Sequence, residues 1–306
     1  MPNVDYLQYF SLTRYRAVEK FLKKNKYSLI LDMEDSAQNL FSKQKTHELK
    51  EKCRVGLNYL VQNNIQIKDC FVRINSLKSE FIKKDLLLFE KLKTKINIWG
   101  IFLPKVEDFN EIKFLYKKTK IKIIPIIETS KGYKNLNKII NDDSENFIYG
   151  IHYGHFDYCL SKKVWPFPEP YHQEYWKIIN PIIQCCNKFG KKFIQTPYPL
   201  INNHKIYWSM IEKLQNLCSN HFYVSVVSIN DNFFNRPKVL KKFHLKKISL
   251  DKKFVLSFTK KIIKEYIENK QDNKSFSLTK KRFIPPHQYL MAKNYLKKNE
   301  RRKKIK

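Results

Sequence analysis

Three carboxylates in four positions, Asp32, Glu34 and Asp35, directly follow the apolar run Leu29-Ile30-Leu31. At the end of a buried strand, that much negative charge is costly unless it is paired or binds something. Asp35 or the adjacent Ser36 also has the chemistry of a helix N-cap. Arg73 sits inside a second apolar run, Phe71-Val72-Arg73-Ile74-Asn75, in a chain where only eight of 60 basic residues are arginine. Its planar fork suits a carboxylate or acyl oxygen; a buried ion pair with Asp32 or Asp35 is compatible with that role. Further runs close on Lys105 and Glu107, on Glu128, and on His152, His155 and Asp157. Glu128 and Asp157, from successive strand ends, can share a hard cation, because Mg²⁺ favours one or two carboxylates with water and substrate oxygens around them. Each residue alone reads as structural. Five such endings together mark a site.

The elements that must position these groups are short Ile-, Val-, Phe- and Tyr-rich runs: 6–10, 28–32, 70–74, 99–103, 121–127, 147–152, 192–195 and 222–227. Amphipathic segments lie between them. Ile82, Leu86 and Phe89 form one apolar stripe, and Phe254, Phe258, Ile262 and Tyr266 another. Eight strands each followed by a helix predict a closed parallel (β/α)₈ barrel, whose chemistry belongs at the C-terminal strand ends. No G-x-G-x-x-G or Walker loop favours an open doubly wound sheet instead. The expected organisation is a barrel over 1–249 and a C-terminal helical segment over 250–306, packed on the barrel or a neighbouring subunit, with a disordered basic tail at 297–306. Three prolines among aromatics in Trp165-Pro166-Phe167-Pro168-Glu169-Pro170-Tyr171-His172 cannot continue a helix and predict a loop over the barrel mouth.

The formal charge of +32 comes mostly from lysines spread along the chain. A nucleic-acid binder clusters its charge and uses arginine for bidentate contacts, so the pattern argues for lysine on solvated faces and attraction of acidic metabolites. Six cysteines form no C-x-x-C pair, as thiols in a reducing compartment would not. With no secretory signal and no run of 18 apolar residues, the expectation is a cytoplasmic protein without a membrane span.

The ordered motifs are similar to those of the citrate lyase β-subunit and HpcH/HpaI aldolase family. Asp32-Met33-Glu34-Asp35-Ser36-Ala37 with Lys50 and Cys53-Arg54 resembles its D-L-E-D-x-V … K-x-x-A-R signature. Arg73-Ile74-Asn75 resembles R-[IV]-N, Leu103-Pro104-Lys105-Val106-Glu107 resembles L-P-K-[VT]-E, Ile127 to Gly132 resembles I-E-T-A-x-G, and Gly154 to Asp157 resembles G-x-x-D. Phe276 to Ala292 is similar to the closing segment. The resemblance implies Glu128 and Asp157 as ligands of Mg²⁺ (or Mn²⁺). It implies Arg73 as the holder of a substrate carboxylate or carbonyl oxygen, helped by Lys50, and Glu34, Asp35 and Lys105 as a charged catalytic shell. The implied reaction is carbon–carbon lysis or aldol addition through an enolate, on a small oxo- or hydroxy-acid or its acyl-CoA thioester, in a homo-oligomer (trimer or hexamer).

Three features depart from the family pattern. Ser228-Ile229-Asn230-Asp231 replaces H-P-x-Q-I, Pro285 stands where acyl-CoA-using members carry an aspartate, and the 164–172 segment with His152 and His155 is atypical. A general base transferred to one of those histidines is one reading. A barrel that binds a ligand without lyase chemistry is another.

Overall fold

The computed structural model describes the chain except residues 1–3, 25, 26, 40, 64, 66, 68, 69, 94, 200–202, 220, 221, 227–243, 270–275, 281, 305 and 306. Eight parallel strands close into a barrel in chain order: β1 (Val4–Ser11), β2 (Ser28–Asp32), β3 (Cys70–Arg73), β4 (Ile98–Leu103), β5 (Ile123–Ile127), β6 (Gly150–Tyr153), β7 (Lys192–Gln195) and β8 (Phe222–Val226). β1 pairs with both β2 and β8, so no edge is left open. The (β/α)₈ expectation is met, each strand lying within a few residues of its run in the sequence.

Alternation along each strand decides what reaches the barrel axis. Leu29 and Leu31 point outward into the layer shared with the helices, while Ile30 joins Leu7, Phe71, Phe102, Ile124 and Ile126 in the barrel interior. Two residues beyond Ile30, Phe71 and Ile126 stand Asp32, Arg73 and Glu128. The period of two that buries the apolar residues therefore also aims these three polar side chains at one point above the interior packing.

Around the barrel run α1 (Val18–Lys24), α2 (Lys43–Gln62), α3 (Ile82–Leu92), α4 (Phe109–Thr119), α5 (Ser130–Asn141), α6 (His155–Lys162), α7 (Gln173–Lys188) and α8 (His204–Leu217). In α3, Ile82 and Phe89 are buried and Leu86 is partly so. The C-terminal segment forms α9 (Lys252–Glu268), a short hairpin of β9 (Ser277–Leu278) and β10 (Phe283–Ile284), and α10 (Pro286–Lys304). In α9, Ile262 and Tyr266 are buried as expected, but Phe254 is 49% exposed and Val255 and Thr259 complete the inner face. A row spaced by four drifts by roughly 40° per step on a helix of 3.6 residues per turn, so its far end leaves the interface.

The basic run expected to be disordered instead continues α10 as far as Lys304. Lys, Glu and Arg are all good helix formers, and net charge did not outweigh that propensity. Among the described residues all six cysteines are free and buried, and no helix is long and apolar enough to cross a membrane.

Candidate active site at the C-terminal strand ends

Asp32 and Arg73 are register partners at the ends of β2 and β3. Arg73 Nε donates to Asp32 Oδ1 at 2.7 Å and Nη2 to Oδ2 at 2.7 Å, a two-pronged pair. Nη1 donates to Asp35 Oδ2 at 2.9 Å and lies 3.4 Å from Glu34 Oε2. The guanidinium rests on the Tyr9 ring, 4.7 Å from its centroid. Asp32 also accepts the backbone N–H groups of Glu34 and Ser36. Burial works to raise its pKa, but Arg73 and these donors hold it below the usual carboxylate range. Asp32 is thus the anchor of the turn. Lys50, expected at the substrate, is buried, and its ammonium donates to the carbonyl oxygens of Met33 and Glu34, bracing the same turn from α2.

Glu34 and Asp35 are adjacent carboxylates whose charges repel one another. Burial, then the neighbouring charge of Asp35, pushes Glu34 up to about 8. Burial opposes ionisation of Asp35 too, but Arg73, and after it His287, hold that carboxyl far below its ordinary value.

The second half of the site rests on two glycines. Glu128 directly follows β5, and the next residue, Thr129, caps α5 by accepting the Gly132 N–H at 2.9 Å. A Cβ on Gly132 would lie 2.2 Å from the Val106 carbonyl oxygen, so only glycine lets α5 begin there. Glu128 Oε1 accepts the Lys105 backbone N–H at 2.9 Å. Gly154, at the start of α6, passes so close to Glu128 that a Cβ would stand 2.5 Å from Oε2. Asp157 follows in the first turn of α6, with Oδ1 3.7 Å from Lys105 Nζ.

One further side chain reaches the site, and it comes from the C-terminal segment. His287, near the start of α10, places Nε2 3.3 Å from Asp157 Oδ2. Single ligand atoms of Asp35, Asp157 and His287 all lie within 4.8 Å of one another.

Five carboxylates, Asp32, Glu34, Asp35, Glu128 and Asp157, therefore share this end of the barrel with three fixed cations, Arg73, Lys50 and Lys105. Were all five ionised, two negative charges would be left over in a largely buried place, and burial with mutual repulsion instead raises Glu34 and Glu128. The effect is plainest at Glu128, raised well above its ordinary value by burial and then by Asp157, Glu34 and Asp35. A divalent cation offsets that excess, and carboxylate oxygens are the donors a hard ion takes. The residues fit such an ion.

The sequence model of the HpcH/HpaI aldolase/citrate lyase family matches residues 6–222, all eight barrel strands included in whole or part. The chain belongs to that family. Among solved structures, the citrate lyase beta subunit of M. tuberculosis complexed with oxaloacetate and magnesium is 15% identical, with a TM-score of 0.56 over 72% of this chain and 90% of its own. CitE from Mycobacterium tuberculosis with magnesium, acetoacetate and coenzyme A is 14% identical, with a TM-score of 0.57 over 96% and 97%. RipC from Yersinia pestis is 15% identical, with a TM-score of 0.55 over 77% and 97%. At these identities the likeness is one of fold. No curated protein matched the sequence.

Against the family pattern, Ser228 to Asp231 lies outside the described residues. Pro285 immediately precedes α10, and the first polar side chain after it is His287. The sequence held the signal, a histidine directly after Pro285-Pro286 in the segment similar to the family's closing one. The 164–172 segment is covered by the C-terminal segment. Trp165 Nε1 donates to Thr259 Oγ1 at 2.9 Å, and Glu169 Oε1 accepts from Arg282 Nη2 at 2.6 Å. His152 points into the barrel. Its Nδ1 donates to the Ile194 carbonyl at 3.1 Å and its Nε2 faces the Tyr9 hydroxyl at 3.3 Å, and burial lowers its pKa to about 3. His155 is buried beside Tyr153 and Cys159, with its pKa lowered to about 4 by burial. Both are neutral packing histidines.

Proposed function

We propose that this protein is a divalent-metal-dependent carbon–carbon lyase or aldolase acting on a small oxo- or hydroxy-acid, free or as an acyl-CoA thioester. One observation carries the reading: five carboxylates, Glu128 and Asp157 among them, crowd one end of the barrel against only three lysine and arginine cations, with the Arg73 guanidinium locked in place by Asp32 and Asp35. Glu128 and Asp157 would hold Mg²⁺ or Mn²⁺, which when bound supplies Lewis acidity for a developing enolate oxygen.

The chain's own residues do the rest. Asp32 and Asp35 take three of the five N–H groups of Arg73, which fixes the plane of the fork. The two hydrogens beyond those are available to a carboxylate or carbonyl oxygen of the substrate, with no reorganisation needed when charge develops. Lys105, kept charged by Glu34 and Asp157 against the pull of burial, adds a second positive group on the Asp157 side. Glu34 and Asp35 orient Arg73 and any ligand water. Lys50 holds the turn that carries both.

Glu128→Gln tests the assignment. Mg²⁺ affinity measured by calorimetry should fall by about tenfold or more, since a metal centre loses that much even when only an outer partner is removed. Unchanged affinity would sink it. Turnover on a panel of oxo-acids, hydroxy-acids and their thioesters tests the chemistry. Metal and acid binding without any turnover would instead favour a ligand-binding barrel, the reading that Pro285 supports.

A further inference from the structure

The carboxylates at the strand ends are all oxygen donors, yet a nitrogen donor stands among them. His287 arrives on α10, from outside the barrel, and is 9% exposed. Its Nε2 faces Asp157 Oδ2 at 3.3 Å, and its buried Nδ1 has no hydrogen-bond partner among the described residues. With Asp35 and Asp157 it makes a three-donor set whose ligand atoms lie within 4.8 Å of one another. Asp35 gives Oδ2 to Arg73.

We propose that His287 is a nitrogen ligand of the divalent ion, joining Asp157 and Asp35, so that the centre prefers Mn²⁺, Fe²⁺ or Co²⁺ to Mg²⁺. The inference rests on the metal reading above and sharpens it. Mg²⁺ is bound almost wholly by oxygen and keeps several waters. Imidazole suits first-row transition metals, whose affinities for a nitrogen-containing site rise from Mn²⁺ through Fe²⁺ and Co²⁺. Replacing one oxygen position by imidazole therefore shifts the choice of ion. It also makes the centre depend on the C-terminal segment. The segment is tied down by Glu169–Arg282, by Trp165–Thr259, and by the Phe283 N–H donating to the Pro199 carbonyl at 2.9 Å. α10 packs directly on α6, which carries Asp157. The two donors that define the set, His287 and Asp157, thus sit on helices that touch.

The test uses the full-length chain loaded with Mn²⁺, read by electron spin echo envelope modulation, once with natural histidine and once with ¹⁵N-histidine. The expected result is a ¹⁴N coupling to bound Mn²⁺ that changes to ¹⁵N on labelling and vanishes in His287→Gln. In calorimetry, His287→Gln should weaken Mn²⁺ by about tenfold or more and Mg²⁺ by much less, as loss of a direct ligand costs at least what an outer partner does. The unmodified protein gives the primary reading, so it stands even if the variant folds poorly. Bound Mn²⁺ without nitrogen coupling, or coupling that persists in His287→Gln, overturns the assignment of His287. If Glu128→Gln weakens Mn²⁺ in that same case, the metal centre itself survives. Failure of the wild-type chain to bind either ion overturns both readings.

Discussion

Replacing Arg73 by lysine keeps the positive charge and removes the fork. In the native site Nε and Nη2 hold both oxygens of Asp32, and Nη1 holds Asp35. A single ammonium can face one of those carboxylates well, so about two charge-assisted hydrogen bonds are lost, each worth roughly 1.5–3 kcal/mol. Asp32 and Arg73 are both buried, and breaking a buried pair costs about 3–5 kcal/mol, so the two routes agree. For a domain of this size, 1 kcal/mol shifts the melting temperature by roughly 2 °C, giving an expected fall of about 6–10 °C. Thermal unfolding followed by calorimetry or intrinsic fluorescence reads this directly. The double variant Arg73→Lys, Asp32→Asn should recover part of the loss, because the carboxylate left unmatched is gone. A melting temperature within about 1 °C of wild type would refute the reasoning, since it would mean that the two-pronged fork contributes no more than a point charge. Acid-ligand affinity in the folded variant separates the anchoring role from the structural one: it should fall as well, and unchanged affinity would leave Arg73 a purely structural residue.

Three more outcomes are expected. Gly154→Ala, whose Cβ would meet Glu128 Oε2 at 2.5 Å, should displace that carboxylate and weaken Mg²⁺ or Mn²⁺ binding; calorimetry showing wild-type affinity would contradict the close approach. Glu169→Ala leaves the partly buried Arg282 without its partner and should destabilise by roughly 3 kcal/mol in urea titrations, with hydrogen exchange rising first in α9 and α10. His152 is neutral in the fold, with its pKa lowered to about 3, and takes up a proton near pH 6.5 once unfolded; its contribution is complete above pH 6.5 and drains away as pH falls toward 3. At pH 5 the loss is about 2 kcal/mol, and His152→Gln should show a correspondingly flatter stability profile between pH 7.5 and 5 than wild type; parallel profiles would count against it.

Much of this architecture was legible in the residues because two periods coincide. Strand runs such as 28–32 and 123–127 are apolar on both faces, as parallel barrel strands must be, and their endings announce the site by a change from Ile or Leu to Asp or Glu. Asp32, Arg73, Lys105, Glu128 and Asp157 gather as that reading required. What stayed hidden depends on tertiary packing. Nothing local in Lys50 says that its ammonium turns back to backbone carbonyls. Nothing in Trp165 to His172 says that the covering layer comes from α9 and the β9–β10 hairpin. His287 lies 130 residues beyond Asp157 in sequence, and only the fold of the C-terminal segment brings the two together. The outward turn of Phe254 was obscured for a simpler reason, since a spacing of four suggests one face for longer than a helix can maintain it.

Lys105 carries a tension of its own. It adopts a left-handed backbone, φ 59°, directly after β4, and from there offers its N–H to Glu128 and its ammonium to Asp157. For a residue with a side chain that conformation costs roughly 1–2 kcal/mol, which glycine would largely avoid. A lineage or a laboratory selection driven only by heat resistance would therefore be drawn toward glycine at this position, and would discard the positive charge in the process. The lysine marks a point where stability and chemistry pull the same backbone in opposite directions.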